Sequence, residues 1–162
     1  MEKRLLRIEI VVVLLLLISL FNLISPLLNN KENLTAKGQV DLPALPEDLT
    51  RDVLNNTVYK IKTDFNRSDW AEFYNVFGEY AKAQLSTEEI ELEFKKLKPA
   101  IGNIGTYAYS HYVYEGNGSN ADWFEINYKC RFERGKGTIK VSTRTVDGIS
   151  EVVGVNINLD EL

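Results

Sequence analysis

The spacing of apolar residues in this chain changes once, near Ile104. In residues 46–104 the apolar side chains recur every three or four residues, which is typical of amphipathic helices. Beyond Ile104 they alternate with polar side chains, which is typical of strands that have one buried face. Helices followed by a run of strands indicate an α+β domain rather than helices and strands that alternate around a parallel sheet.

We predict three helices before this change of spacing. The first begins near Pro46, which suits a first helical turn. Its apolar stripe comprises Leu49, Val53, Val58, Ile61 and Phe65. Asp69 and Glu72 have the spacing of a capping pair for the second helix. Ser86 and Glu89 have the same spacing before the third helix, where such a pair satisfies backbone N–H groups of the first turn.

Aromatic residues distinguish the second helix. Four rings are expected on one of its faces: Trp70, Phe73, Tyr74 and Phe77. We expect Gly78 to end or bend this helix, and a short helical piece to continue through Leu85. Pro99 and Gly102 are expected to end the third helix.

Four strands are expected after Ile104, separated by turns at residues 116–118, 135–137 and 147–148. A change of parity between Tyr109 and Tyr112 predicts a bulge in the first strand. The second strand alternates most regularly, and the side chains expected on its buried face are Phe124, Ile126, Tyr128, Cys130 and Phe132. The fold class is therefore α+β, with three N-terminal helices packed on one face of a curved four-stranded antiparallel sheet.

A transmembrane helix is expected before this domain. Lys3, Arg4 and Arg7 precede residues 10–28, a stretch of 19 residues without a charge. At about 1.5 Å per helical residue, this length just crosses a hydrocarbon core of about 30 Å. We expect an uncleaved signal anchor, with residues 1–9 in the cytoplasm. The alternative is a cleaved leader and a secreted domain, although no small-residue cleavage site is visible.

The anchor divides the chain into two further parts. Residues 29–46 are polar and contain Pro43 and Pro46, so we expect a linker there. Residues 47–162 form the folded domain, which we expect on the extracytoplasmic side of the cell membrane.

Charge and composition exclude several classes of function. The first 30 residues hold three basic and two acidic side chains, which leaves 16 basic and 21 acidic residues and a net charge of −5 for the remainder. This balance argues against nucleic-acid binding, which needs clustered positive charge. One Cys and one His argue against a disulfide framework and most transition-metal sites. We expect neither a metal nor a cofactor.

Several short stretches of the folded part carry a resemblance to a known family. They are residues 65–70, Phe77, residues 83–86, Gly102 before Ile104, and residues 147–148 leading to residues 153–157. In these stretches the chain resembles bacterial extracytoplasmic domains of unassigned function in the nuclear-transport-factor-2-like (cystatin-like) superfamily. The resemblance implies a cone, in which the helices close the concave side of a bent sheet over a pocket. Some members of that superfamily are isomerases or dehydratases, and many are binding or assembly modules.

The expected pocket gives three candidate ligand-binding residues, Tyr74, Phe77 and Tyr128. A small apolar ligand would suit them, although the same rings would also serve as ordinary core. His111 is a candidate general base without a nucleophile or carboxylate assigned beside it. Cys130 shares the parity of the apolar side chains, so we interpret it as a small buried hydrophobe.

Trp123 is the candidate partner-binding residue. Its parity is opposite to that of Phe124, so we expect it to be exposed in a polar surround on the outside of the sheet. Tryptophan is enriched at interface hot spots. The alternative is that the indole lies flat over the aliphatic parts of Lys129 and Arg131.

The sequence favours a membrane-anchored, extracytoplasmic, non-catalytic binding or assembly module. Its partner would be a protein or a second copy at the outer sheet face, or a small apolar ligand. The alternative is a small-pocket enzyme of the isomerase or hydrolase type, with Tyr74, Tyr128 or His111 as acid or base.

Protease accessibility tests the expected topology. A protease added outside intact cells or spheroplasts is expected to digest the folded domain and spare a short N-terminal stub, because the basic residues Lys3, Arg4 and Arg7 retain the N-terminus in the cytoplasm. Immunoblots against tags at the two ends measure both products. Protection of the domain until lysis would show the opposite orientation.

Overall fold

Four helical segments precede four strands in the computed structural model, which describes residues 43–160. The helices are α1 (Arg51–Arg67), α2 (Trp70–Tyr74), α3 (Glu79–Lys82) and α4 (Thr87–Ile101). The strands are β1 (Ile104–Gly118), β2 (Ala121–Phe132), β3 (Gly135–Val146) and β4 (Ile149–Leu159). They form one antiparallel sheet in the order β1-β2-β3-β4. The α+β class and the four-stranded meander are confirmed.

The expected anchor at residues 10–28 lies outside the described residues. Within residues 43–160, no helix has both the length and the apolar character that a membrane crossing requires.

Helix α1 begins later than its sequence suggested. Thr50 is its N-cap, and the Thr50 hydroxyl accepts a hydrogen bond from the Val53 N–H, so the first turn starts at Arg51 and not near Pro46. Val53 was wrongly placed on the buried stripe, since its side chain is 45% exposed and that of Leu54 is 3% exposed. Leu54 has the correct spacing with Val58, whereas Val53 is turned about 100° away around the helix.

Both predicted caps are present. The Asp69 carboxylate accepts a hydrogen bond from the Glu72 N–H, and Ser86 and Glu89 form a reciprocal capping box at the start of α4. Pro99 does not end α4, because a proline near the last turn removes only one N–H donor and the helix continues to Ile101.

The aromatic second helix is shorter than expected. Helix α2 ends at Tyr74, so Phe77 follows it instead of extending its face. The short helical piece expected after Gly78 is α3. Helical segments in the described residues therefore number four, of which two have five residues or fewer.

Two of the three predicted turns were displaced. The first lies at Ser119 and Asn120, whose φ angles of 54° and 57° suit a two-residue hairpin turn, and the expected turn residues 116–118 belong to β1. The second lies between Phe132 and Gly135, which are paired, so the expected turn residues 135–137 already belong to β3. The turn at residues 147–148 and the bulge between Tyr109 and His111 are confirmed.

The core lies between the helices and one face of the sheet. The five predicted inward side chains of β2 are all buried: Phe124, Ile126, Tyr128, Cys130 and Phe132. They belong to one cluster with Val58 and Phe65 of α1 and Phe94 of α4. We call this the inner face of the sheet, and the opposite face, which carries Trp123, the outer face.

Residues 43–50 also contact the sheet. The Tyr112 hydroxyl donates a hydrogen bond to the Pro43 carbonyl at 3.2 Å. The Asp48 carboxylate accepts hydrogen bonds from the Ser150 N–H at 2.6 Å and from the Ser150 hydroxyl at 2.7 Å. Leu45 packs against the core. The end of the expected linker is therefore attached to the domain.

Phe132→Ala is expected to lower the free energy of unfolding by roughly 3 to 5 kcal/mol, the usual cost of truncating a buried ring. Phe132 is only 3% exposed. Urea unfolding followed by circular dichroism measures the change. Leu92→Ala is the control, because Leu92 is 54% exposed and its truncation should cost less than about 1 kcal/mol. A loss below about 1 kcal/mol for Phe132→Ala would contradict the assignment of the inner face.

Candidate functional site

The three candidate ligand-binding residues do not line a common cavity. Phe77 and Tyr128 are 4% and 0% exposed, and both are part of the packed core. Tyr74 is half-buried and borders an open groove of about 510 Å³ formed with residues 82–89. The Tyr74 hydroxyl donates a hydrogen bond to the Leu85 carbonyl at 2.8 Å. Tyr74 thus fixes the connection between α3 and α4.

The Tyr128 hydroxyl is buried without a hydrogen-bond partner among the described residues. The rings of Tyr107 and Tyr109 stand nearly perpendicular to that of Tyr128, with centroids 6.1 and 5.8 Å away. Burial raises the pKa of Tyr128 to about 12, and the positive charge of Arg51 partly opposes this shift. The phenol is therefore protonated at neutral pH, when it can donate a proton but cannot serve as a base.

His111 lies away from this phenol. It is exposed and pairs across the strands with Asn127, whereas Tyr109 is the partner of Tyr128 on the inner face. A ring nitrogen of His111 lies 3.1 Å from the Ser110 hydroxyl. The structure therefore does not bring His111 and Tyr128 together.

Cys130 is buried, as its parity predicted, with 6% of its surface exposed. Burial raises the pKa of its thiol to about 11, so the thiol is protonated at neutral pH. A buried, protonated thiol is a poor nucleophile.

Trp123 lies on the predicted face of the sheet, but it is half-buried and not exposed. Its indole N–H donates a hydrogen bond to the Gly118 carbonyl at 3.1 Å. The Tyr80 ring stands edge-on to it, with centroids 5.7 Å apart. Tyr80 belongs to α3, so one helix contributes a side chain to the outer face. The expectation of an exposed indole was wrong because a distant segment covers it.

An ion pair completes this group of side chains. The Arg144 guanidinium lies 4.5 Å from the centre of the Tyr80 ring and 2.9 Å from the Glu151 carboxylate. The second carboxylate oxygen of Glu151 accepts a hydrogen bond from the Tyr80 N–H at 3.0 Å. We call Tyr80, Trp123, Arg144 and Glu151 the aromatic cluster.

Backbone geometry allows the aromatic cluster to form. A Cβ atom on Gly78 would lie 2.4 Å from the Glu151 Cβ, so only glycine fits where the chain crosses β4. Cross-strand pairing places Trp123 opposite Arg144, and Arg144 opposite Glu151. Sequence reasoning missed these two charged residues, although the correctly predicted turn at residues 147–148 gives their pairing.

Exposed apolar side chains occur near the aromatic cluster. Ile149 is 74% exposed and pairs with Val146 at the end of the hairpin between β3 and β4. Val113, which pairs with Glu125 on β2, is 37% exposed. The turn end of the outer face therefore offers apolar surface beside a tryptophan and an ion pair.

Within residues 43–160, the structure contains no group of three or more His, Cys, Asp or Glu side chains placed to hold a metal ion.

Comparison with known proteins leaves the family open. No family model matches the chain, and no curated protein matches it. Among solved structures, it is similar to that of Bdellovibrio bacteriovorus Bd1075, with 10% sequence identity and a TM-score of 0.39. The matched region covers 68% of this chain and 41% of that chain, so it spans less than half of that protein. This likeness is too weak to assign a fold family or a function.

Tyr128→Phe is expected to raise the free energy of unfolding by about 1 kcal/mol, because it removes a buried hydroxyl that makes no hydrogen bond. Tyr74→Phe is the matched control and should lower it by about 1 kcal/mol, because the Tyr74 hydroxyl is bonded to the Leu85 carbonyl. Urea unfolding of both variants measures whether each substitution raises or lowers the free energy of unfolding. Destabilisation by Tyr128→Phe would show that its hydroxyl has a partner.

Proposed function

We propose that this chain is a membrane-anchored, extracytoplasmic, non-catalytic module that binds a protein partner or a second copy through the outer face of its sheet. The aromatic cluster is the observation that carries the proposal. It places a tryptophan, a tyrosine and an arginine side by side, and interface hot spots are enriched in Trp, Tyr and Arg.

The geometry of the aromatic cluster suits a binding surface. The Trp123 indole is held by its hydrogen bond to the Gly118 carbonyl, and the Tyr80 ring is packed against that indole and the Arg144 guanidinium. Little side-chain freedom would therefore be lost on association. The Arg144–Glu151 ion pair is partly shielded, with 21% and 24% of the two side chains exposed. Ile149 adds apolar surface that a partner would remove from water.

The anchor and the family are part of the same proposal. The uncharged residues 10–28 after Lys3, Arg4 and Arg7 support a single-pass topology with the domain outside. The order of helices before a meander, together with the resemblance in residues 65–70, 147–148 and 153–157, supports a cone of the nuclear-transport-factor-2-like superfamily. Binding and assembly modules are common in that superfamily, which agrees with the proposed role.

An isomerase- or hydrolase-type enzyme is the weaker alternative. Tyr74 is bonded to the backbone, Tyr128 is enclosed in the core, and His111 lies on the opposite face of the sheet from Tyr128. These three side chains would have to act separately as acid or base. A small apolar ligand also has less support, because Phe77 and Tyr128 do not border the groove beside Tyr74.

Ile149→Arg tests the proposal without disturbing the core. Because Ile149 is 74% exposed, the variant should unfold like the parent and yet weaken self-association or partner capture by more than about 1 kcal/mol. Sedimentation of the full chain in detergent measures self-association, and crosslinking with pull-down from native membranes measures partner capture. Trp123→Ala should weaken self-association and partner capture further. It should also lower stability, because the half-buried indole loses its packing against Tyr80 and its hydrogen bond to the Gly118 carbonyl.

Leu92→Arg is the control for added charge, because Leu92 is exposed on α4 and lies outside the aromatic cluster. It should leave every assembly intact. If Ile149→Arg and Trp123→Ala both leave every assembly intact, the outer face does not bind.

A further inference from the structure

Positive charge is concentrated at the other end of the outer face. Arg131 on β2 pairs directly with Lys136 on β3, and both side chains are exposed. Lys129 precedes Arg131 by two residues and therefore lies on the same face. Like charges directly opposite each other destabilise a sheet. This end of the sheet thus carries three cations in an arrangement that opposes folding.

Among residues 43–160, no carboxylate forms an ion pair with these three cations. Within residues 43–160, the cations that form ion pairs are Lys60, Lys82, Lys95, Lys96, Lys140 and Arg144. The Glu133 carboxylate accepts a hydrogen bond from the Asn103 N–H at 3.1 Å. Asp160 donates its backbone N–H to the Lys136 carbonyl at 2.8 Å, but its carboxylate forms no ion pair with the described cations. These three cations are therefore a local concentration of positive charge in a domain of net negative charge.

A depression of about 230 Å³ lies between these cations and β1. It is lined by Lys129, Cys130, Arg131 and Lys136 together with the β1 residues Thr106, Tyr107 and Ala108. The pairing of β1 with β2 shifts between Ile104 and Tyr107, beside the depression. Since one water occupies about 30 Å³ in the liquid, the space admits a small polyatomic anion.

We propose that this cationic depression binds a phosphate group. A phosphate monoester carries a charge of about −1.5 to −2 and three strong acceptor oxygens. The Arg131 guanidinium presents a planar fork that fits two of those oxygens, and the two lysines supply further donors. A bound phosphate offsets the repulsion between Arg131 and Lys136. A single carboxylate, with about half that negative charge and two acceptor oxygens, would offset less of it. The site goes beyond the proposed function and does not depend on the aromatic cluster.

Thermal unfolding of the full chain in a zwitterionic detergent tests the site, with inorganic phosphate as the probe and sodium chloride at matched ionic strength as the reference. Phosphate is expected to raise the melting temperature in a concentration-dependent manner, because a ligand that binds the folded state stabilises it. Chloride should have a smaller effect.

Two variants that each remove one positive charge distinguish phosphate binding from a purely structural role of these side chains. Without phosphate, Arg131→Gln and Lys136→Gln should melt at or above the temperature of the parent, because the like-charge contact is gone. In phosphate, both should require at least tenfold more anion for the same shift. Lys95→Gln is the control, since Lys95 pairs with Glu91 on α4, and it should keep the full phosphate response.

The phosphate group could belong to a lipid headgroup or to a soluble ester. Thermal unfolding in nanodiscs distinguishes these sources, with discs of phosphatidylcholine alone compared with discs that also contain phosphatidylglycerol. A lipid headgroup is identified if the parent melts at a higher temperature in the phosphatidylglycerol discs than in the phosphatidylcholine discs, and if Arg131→Gln abolishes this difference. Equal melting in the two discs, with stabilisation by glycerol phosphate, identifies a soluble phosphate ester. The proposal is overturned if phosphate and chloride act equally at matched ionic strength, or if Arg131→Gln and Lys136→Gln keep the phosphate response.

Discussion

The attachment of α1 to the first residue of β1 is the constraint on which the rest of the fold depends. The Asn66 side chain accepts a hydrogen bond from the Ile104 N–H at 2.8 Å and donates one to the Ile104 carbonyl at 2.9 Å. Lys98 of α4 donates to the carbonyls of Phe65 and Asn66 at 2.6 and 2.7 Å. These carbonyls belong to the last turn of α1, where the Phe65 carbonyl also accepts the Ser68 N–H and where the helix dipole favours a positive charge. One point therefore ties two helices and the sheet together, and it lies where the spacing of apolar residues changes.

From this point the central strand pair determines what each face presents. Pairing between β2 and β3 is continuous from Asp122 to Phe132, whereas both edge pairings contain irregularities. The side chains of β2 and β3 therefore alternate without interruption. The inner face packs against the helices, and the outer face receives the aromatic cluster at one end and the three cations at the other. Both surfaces depend on the most regular part of the sheet.

The features that were predicted correctly from the sequence are those determined by interactions between residues close together in the chain. The caps at Asp69 and Ser86, the buried side chains of β2 and the turn at residues 147–148 depend on neighbours within a few residues, so the sequence contains their cause. The exposure of Trp123 depends on Tyr80, which is distant in sequence and reaches the outer face only because Gly78 allows the chain close to Glu151. Contacts of that range are fixed by packing, and a spacing pattern does not show them.

The error in the predicted turn between β2 and β3 could have been detected from the alternation of apolar and polar side chains in the two strands. A turn at residues 135–137 would close the hairpin between Arg134 and Thr138, and would therefore set Arg131 opposite Val141. Inner side chains of β2 have even numbers and those of β3 have odd numbers, as Tyr128 and Ile139 show. Directly paired residues of two strands share a face, so the two numbers of a pair must have an odd sum. The turn after Phe132 satisfies this condition and sets Arg131 opposite Lys136, whereas the predicted turn would have directed a charged side chain and a core valine to the same face. Matching the two faces before choosing a glycine-rich turn would have excluded the predicted register and allowed the observed one, which creates the like-charge contact at this end of the sheet.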